Sequence, residues 1–183
     1  MKNRCRKIVF FLCAVVIGCA TPTISGRLST IPHRQLPQGA TFSVLMPSDT
    51  PSVTEATIAR SVAQCMESSG YRKSDTPKSA DLAVAYSFSV GAGEQVVTSS
   101  PDFVTGGHSI SSMTVYPRLF QITIIDFKTS QLPDRVDVIW QGEVFSKGSS
   151  VDMAEVGPYF IQQICSNLGL EVTNKWFQVK VRR

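Results

Sequence analysis

Histidine, a common acid, base and metal ligand near neutral pH, is scarce in this chain. The two histidines are His33 and His108. A metal cluster or a Ser-His-Asp site would depend on His108, which has no pair of ligand residues nearby in the sequence. The motifs HExxH, GxSxG and a phosphate-binding glycine loop do not occur. We therefore expect a protein that is not an enzyme, with no catalytic residues, no metal and no cofactor.

Cys19 is the cysteine whose surroundings indicate a specific modification. It follows the apolar run Ile8–Ile17 and the small residue Gly18, and a basic cluster precedes that run. The cluster is Lys2, Arg4, Arg6 and Lys7. This arrangement resembles the signal and lipobox of bacterial lipoproteins, in which the cysteine after the cleavage site carries diacylglycerol. The resemblance implies a signal peptide at 1–18 and an anchor of fatty acids such as palmitate on Cys19.

An ordinary secretory signal and an uncleaved membrane anchor are the alternatives at the N-terminus. The apolar run from Ile8 to Ala20 has 13 residues, whereas a helix needs about 20 residues to cross a bilayer. An ordinary signal would not require a cysteine at this position. Ala20, directly after Cys19, differs from the acidic residue that marks inner-membrane retention in many lipoproteins. We expect a protein held by its lipid on the periplasmic face of the outer membrane.

Removal of the signal also removes the positive charge of the chain. The net charge of +4 includes four basic residues and no acidic residue within 1–18, so the mature chain carries 14 basic and 14 acidic residues. Nucleic-acid binding is therefore not expected. A basic cluster remains at the end of the chain, and a solvated tail is preferred for it over a contact with anionic lipid. Its members are Lys175, Lys180, Arg182 and Arg183.

The remaining length suits one domain and a tether. Residues 19–39 contain three prolines and few apolar residues, which predicts a lipidated N-terminus with a flexible tether. Residues 40–183 are assigned to a single domain.

Apolar periodicity predicts the elements of that domain. A strand at Phe42–Met46 precedes a helix that a Ser52–Glu55 capping box opens and Gly70 closes. Further strands are predicted at 82–90, 118–127 and 136–146. Asp152 and Glu155 can form a second capping box at the start of a helix that ends before Gly169, although Pro158 could delay that start. Phe177, Val179 and Val181 can form a fifth strand.

The order β-α-β-β-β-α predicts an α+β protein. We expect a two-layer sandwich with a mostly antiparallel sheet and both helices on one face.

Cys65 and Cys165 are the cysteines that remain after signal removal and lipidation. Each lies 13 residues after a proposed helix cap, Ser52 or Asp152. If the two helices run parallel, the thiols lie at the same height, and an oxidising periplasm would join them in a disulfide. The alternative is two buried free thiols.

Several short motifs occur in an order that resembles a known family. They are Gly70-Tyr71, Ala80-Asp81-Leu82 with Val84 and Tyr86, Asp126, and Trp140-Gln141-Gly142. In this order they resemble domain of unknown function 4136, a family of small bacterial envelope lipoproteins, over about residues 40–170. The resemblance implies fold and location but transfers no active site.

The motif residues also have structural interpretations. Asp81 and Asp126 lie at strand ends, where a carboxylate can accept backbone amides. Trp140 alternates in phase with apolar neighbours and is expected in the core. Gly142 within a strand indicates a bulge or a close neighbour.

Residues 91–117 form an unusually long connection between two predicted strands. Apolar residues are interspersed with glycine and serine, which suits a segment that orders on an envelope protein partner. The proposed partner-binding residues are Phe103, Val104, Met113 and Tyr116. The alternative is a β-ribbon in which Glu94–Ser99 pairs with Ser109–Val115 and which merely prolongs the sheet.

The sequence thus favours a lipid-anchored binding or scaffolding component of the envelope. The alternative is a carrier that holds a lipid or another apolar ligand between helices and sheet. A cavity lined by Tyr86, Phe88 and Trp140 would favour the carrier, and a filled core with an exposed 91–117 ribbon would favour the scaffold.

Overall fold

The computed structural model describes residues 22–101, 107–131 and 136–181. Within these ranges an eight-stranded sheet and two α-helices form an α+β fold, which confirms the predicted class. The strands are β1 (Thr23–Pro32), β2 (Thr41–Leu45), β3 (Arg72–Lys73), β4 (Leu82–Val90), β5 (Glu94–Pro101), β6 (His108–Asp126), β7 (Val138–Gly148) and β8 (Val172–Lys180). The helices are α1 (Val53–Ser68) and α2 (Met153–Cys165), and 3-10 turns occur at Pro77–Ser79 and Thr129–Gln131.

The sheet is mixed. Its order is β3-β2-β4-β6-β7-β1-β8, and β5 pairs with β6 outside this path. β2 runs parallel to β3 and β4, whereas the other pairs are antiparallel. The prediction of a mostly antiparallel sheet therefore differs in detail, because the strand pairs around β2 are parallel. The physical reason is that α1 returns the chain to the end of the sheet where β2 began, so β3 and, after the turn at Pro77–Ser79, β4 run in the same direction as β2.

The predicted tether is wrong over about half of its length. Residues 23–32 form β1, which lies between β7 and β8 inside the sheet. The inward side chains of β1 include Ile24 and Leu28, both buried. Burial of these residues and two hydrogen-bonded neighbours hold the segment as a strand. The domain thus begins at Thr23 rather than at residue 40.

The two helices pack side by side and run parallel. Ser52 caps α1 in the predicted capping box, with Glu55 N donating to Ser52 Oγ at 3.2 Å and Ser52 N donating to Glu55 Oε2 at 2.6 Å. Asp152 caps α2 through the amide of Ala154 at 2.8 Å. Early in both helices, Gly157 of α2 faces Ile58 of α1.

The start of α2 is as the cap predicts, and Pro158 does not delay it. The helix begins at Met153 with Pro158 inside. The predicted capping box is wrong in its Glu155 half: Glu155 accepts a hydrogen bond from the Ser150 hydroxyl at 2.9 Å, and the amide of Asp152 donates to Ser150 Oγ at 3.2 Å.

The core lies between the helices and one face of the sheet, and it is filled. The large side chains Trp140, Phe42, Phe120 and Phe160 are fully buried there. Trp140 is therefore a core residue, as predicted. A Cβ on Gly142 would lie 2.5 Å from Trp140 Cη2, so the glycine leaves room for the indole ring.

The C-terminal strand is present as β8, which pairs antiparallel with β1 at one edge of the sheet. Phe177 of β8 is buried against the core, and Val179 packs on its margin. The register places Lys180 opposite Thr23.

Candidate functional site

The most exposed regular structure in the described chain is a two-stranded β-ribbon. It consists of β5 and the first part of β6, residues Glu94–Pro101 and His108–Val115, in eight registered pairs from Glu94↔Val115 to Pro101↔His108. Of the two interpretations of 91–117, the structure shows the β-ribbon, and its pairing covers the predicted ranges and continues to Pro101↔His108. We refer to these residues as the ribbon.

The ribbon projects beyond the rest of the sheet. β4 pairs with β6 only as far as Val90↔Arg118, and β7 pairs with β6 only as far as Tyr116↔Gly148. His108–Val115 therefore has β5 as its only strand neighbour among the described residues. Both outer edges of the ribbon present backbone N–H and C=O groups that no described strand pairs.

Apolar side chains on both faces of the ribbon are exposed to solvent. Ile110 is 74% exposed and Val97 is 63% exposed, on the face that carries Ser99 and Ser112. Val96 and Met113 form a cross-strand pair on the other face, and both are exposed. These four residues give the ribbon an apolar surface on each side.

The remaining ribbon side chains are mostly hydroxylated and uncharged. Thr98 and Ser111 hydroxyls lie 2.7 Å apart across the strands, and those of Ser100 and Ser109 lie 3.0 Å apart. Residues 95–100 and 108–116 include no Lys, Arg, Asp or Glu. Charged residues are the usual protection of an exposed strand edge against pairing. The ribbon lacks this protection over these residues.

The predicted partner-binding residues are distributed unevenly over this surface. Met113 is exposed on the ribbon. Tyr116 is half-buried at its base beside Gly93, where a Cβ would lie 2.7 Å from Tyr116 Cε1. Phe103 and Val104 lie outside the described residues. The prediction omitted Val97 and Ile110, which are exposed on the ribbon.

The base of the ribbon is tied to the sheet. Lys147 Nζ of β7 lies 2.9 Å from Glu94 Oε2. Beneath it, buried Arg118 donates to Ser146 Oγ at 2.9 Å and to the Ser150 carbonyl at 3.3 Å, and its guanidinium lies 5.6 Å from the Phe160 ring centroid. Burial lowers the pKa of Arg118, and the charge of Glu155 opposes that shift. These contacts fix where the ribbon leaves the sheet.

Asp81, at the opposite end of the sheet, has a structural role. Its Oδ2 accepts hydrogen bonds from Thr41 N at 2.9 Å and Thr41 Oγ1 at 2.8 Å, and Lys128 Nζ lies 2.5 Å from Oδ1. The hydrogen bond from Lys128, followed by those from Thr41, lowers the pKa of Asp81 to about 2. This carboxylate joins β2 to the start of β4, and the predicted acceptance of a backbone amide is confirmed.

Asp126 has the same kind of role at the end of β6. Its Oδ1 accepts the amides of Lys128 at 3.1 Å and Thr129 at 3.2 Å, and its Oδ2 accepts from Arg34 Nη2 at 2.6 Å. The two motif aspartates thus hold strand ends and turns with all four carboxylate oxygens engaged.

The described ranges contain no group of three or more His, Cys, Asp and Glu side chains placed to hold a metal ion. Neither α-helix in those ranges combines the length and apolarity required to cross a bilayer.

Cys65 and Cys165 are joined in a disulfide, with their Cα atoms 6.0 Å apart. The bond links the C-terminal ends of α1 and α2 across 100 residues of sequence. Their joining at equal heights agrees with the parallel course of the helices.

Comparison with known proteins bears on the fold and the family. No curated protein matches this chain. Residues 31–168 match the family described as domain of unknown function, DUF4136. The chain belongs to the DUF4136 family. The match covers the strands and helices from the end of β1 to just after α2, including Asp81, Asp126 and Trp140.

Solved structures resemble this DUF4136 protein at low sequence identity. A PDZ domain protein from Parabacteroides distasonis is 14% identical with a TM-score of 0.54, over 85% of this chain and 38% of that one. The chain thus spans about two fifths of that relative's length. A DUF4136 family protein from Bacteroides thetaiotaomicron is 13% identical with a TM-score of 0.44, over 77% of this chain and 92% of that one. A PelC dodecamer from Paraburkholderia phytofirmans is 14% identical with a TM-score of 0.42, over 79% and 98%.

Proposed function

We propose that this DUF4136 protein is a lipid-anchored, non-enzymatic binding or scaffolding component of the bacterial cell envelope. Its anchor is the lipid on Cys19, its location is the periplasmic face of the outer membrane, and its binding element is the ribbon. The observation that carries this proposal is the exposed apolar ribbon beside a filled core.

The filled core supports surface binding over ligand transport. Trp140 is fully buried, and Tyr86 is buried with its hydroxyl donating to the Glu55 carbonyl at 2.8 Å. Phe88 packs against the same core. These three residues would line the cavity of a carrier, and here they fill the space between helices and sheet. This interior supports binding through the outer surface rather than in an internal cavity.

The ribbon supports the proposal because its exposure is costly without a partner. Exposed apolar area favours association by roughly 25 cal/mol for each Å² that leaves water. Val97 and Ile110 are among the most exposed large apolar side chains of the described residues. Their burial against a partner would recover this free energy.

Photocrosslinking in cells tests the binding element. A photoreactive residue replaces Val97 on the ribbon or, as a matched control, Val136, an equally exposed valine (68%) at the opposite end of the sheet. The expected result is a discrete adduct, with protein or with lipid, from position 97 and none from position 136. Equal background from both positions would contradict the assignment of the ribbon.

A further inference from the structure

The ribbon and the start of the domain lie at the same end of the sheet. Gly26 of β1 pairs with Ser146 of β7, and Gly148 of β7 pairs with Tyr116 at the base of the ribbon. Counting back along β1 from Gly26, Thr23 lies at the height of that base. The chain therefore enters the sheet beside the point where the ribbon leaves it.

The spacer between Cys19 and the domain is short. β1 begins at Thr23, so only Ala20, Thr21 and Pro22 intervene. Fully extended, this stretch spans at most about 14 Å from one Cα to the other. A lipid on Cys19 would hold the start of β1 within that distance of the bilayer surface.

The ribbon is longer than the spacer. Its eight pairs extend about 23 Å beyond its base at 3.3 Å per residue. Sheet twist of roughly 20–25° per strand turns the ribbon by about 45° from β1, because two strand steps separate them. At this angle the far end of the ribbon still extends about 16 Å along the direction of β1. With the lipid in the membrane and the spacer extended along the direction of β1, a ribbon of this reach meets the bilayer surface.

The composition of the ribbon suits that environment. Its paired residues beyond Glu94 carry no Lys, Arg, Asp or Glu, and Lys147 neutralises Glu94 at the base. Exposed Lys180, opposite Thr23, lies at the same end and can meet anionic headgroups. Apolar side chains project from both faces, so either face can contact lipid.

We infer that the partner of the ribbon is the lipid bilayer, in which it forms a second membrane contact beside the lipid on Cys19. This inference rests on the proposed lipid anchor and names the partner of the proposed binding element. The ribbon lies within the headgroup region and does not cross the hydrocarbon. A lone two-stranded ribbon would leave its edge N–H and C=O groups unpaired there, and its eight-residue strands fall short of the 9–11 residues or so that a crossing strand needs.

Lipid photocrosslinking with the purified, lipidated full-length mature protein tests this inference. The protein is reconstituted in vesicles of phosphatidylethanolamine with phosphatidylglycerol as the minor component. Photoreactive residues occupy position 97, 110 or 136 in separate preparations. The expected result is lipid adducts at 97 and 110 in several-fold excess over 136. Adducts at equal levels, or no lipid adduct at 97 and 110, would overturn the membrane contact.

A charge substitution provides the second measurement. Val97→Glu combined with Ile110→Glu places two carboxylates on exposed positions, so the fold is retained. Lipid adducts from a photoreactive residue at Met113 are expected to fall several-fold, whereas Val136→Glu leaves them unchanged. Unchanged adducts in the double variant would overturn the inference.

The cell and vesicle experiments distinguish the binding role of the ribbon from its contact with the bilayer. A protein adduct from position 97 in cells, without lipid adducts in vesicles, would retain the binding role of the ribbon and assign it to protein docking through its open edges. Absence of adducts in both experiments would remove both proposals.

Discussion

At the scale of single residues, the indole ring of Trp140 lies across the backbone of Gly142, two residues further along the same face of β7. A Cβ at position 142 would lie 2.5 Å from Trp140 Cη2 and 2.8 Å from Ile164 Cγ2. The Trp-Gln-Gly motif therefore serves packing in this protein, since the glycine leaves space for the indole ring. The sequence predicted that Gly142 had a close neighbour or a bulge, and the structure shows the close neighbour.

Gly142→Ala is expected to destabilise the protein by roughly 1–3 kcal/mol, because the added methyl overpacks a filled core. Urea denaturation measures the change. Gly157→Ala is the control, since its Cβ would meet Ile58 at an ordinary 3.4 Å and alanine favours the helix. Equal stability of the Gly142→Ala protein and the unmodified protein would contradict the packing account.

Asp81 gives a prediction about pH. Its folded pKa is about 2, below the ordinary 3.8, so the carboxylate contributes stability that is fully present above about pH 4 and is lost as pH falls towards 2. Asp81→Asn is expected to cost about 1 kcal/mol at neutral pH, a value reduced for solvent screening. The difference from the unmodified protein should shrink between pH 4 and pH 2 in denaturation experiments. A difference that is constant across this range would argue against the Lys128 and Thr41 contacts.

At the scale of elements, β1 is a strand that the pattern of apolar residues did not predict. Its inward positions include Gly26 and Thr30 beside Ile24 and Leu28, so apolar alternation is diluted by one small and one polar residue. Gly26 is needed because a Cβ would lie 2.6 Å from Phe145 O and 3.0 Å from Phe177 Cζ. Thr30 is buried because its hydroxyl donates to the Leu170 carbonyl at 2.7 Å. Both reasons depend on distant residues and cannot be derived from the local pattern.

Two substitutions within β1 distinguish a strand from a tether. Leu28→Ala is expected to destabilise the protein by about 2–5 kcal/mol, because Leu28 is 1% exposed in the core. Ile31→Ala, on the outer face and 52% exposed, is expected to cost less than about 1 kcal/mol. Thermal or urea unfolding measures both. Equal small effects would indicate that residues 23–32 form a tether.

The disulfide between α1 and α2 is a second prediction at this scale. It closes a loop of 100 residues, and the chain-entropy estimate for such a loop is about 4.7 kcal/mol before any strain. The variant with both Cys65→Ser and Cys165→Ser should unfold at lower temperature than the oxidised protein, and a reducing agent should affect only the oxidised protein. The absence of any difference in melting temperature would contradict a stabilising bond.

At the scale of the whole molecule, the sequence predicted local elements better than it predicted how distant elements are arranged. The capping residue Ser52, the alternation in β4 and the paired ribbon strands could be derived from neighbours in sequence. The mixed sheet could not, because the position of β2 beside β4 depends on the path of α1. The same holds for the candidate site. Pairing of the two ribbon strands was among the predicted alternatives, but the position of the ribbon beside Thr23 depends on the course of β1 and could not be predicted.

The position of β1 determines how far the domain can lie from a lipid anchor on Cys19. A tether of some 20 residues would allow the domain to sit far from the bilayer, whereas a domain that begins at Thr23 lies next to Cys19 in the chain. A lipid on Cys19 would thus keep the base of the ribbon close to the membrane.

The most direct test of this account is mass spectrometry of the N-terminal peptide from protein purified out of membranes. The expected result is a chain that begins at Cys19 and carries the mass of a diacylglycerol and its fatty acids. Cys13→Ala serves as the control and should be processed normally, whereas Cys19→Ala should lose the modification. An unmodified Cys19, or a chain that still begins at Met1, would contradict the lipid anchor and with it the membrane-facing position of the ribbon.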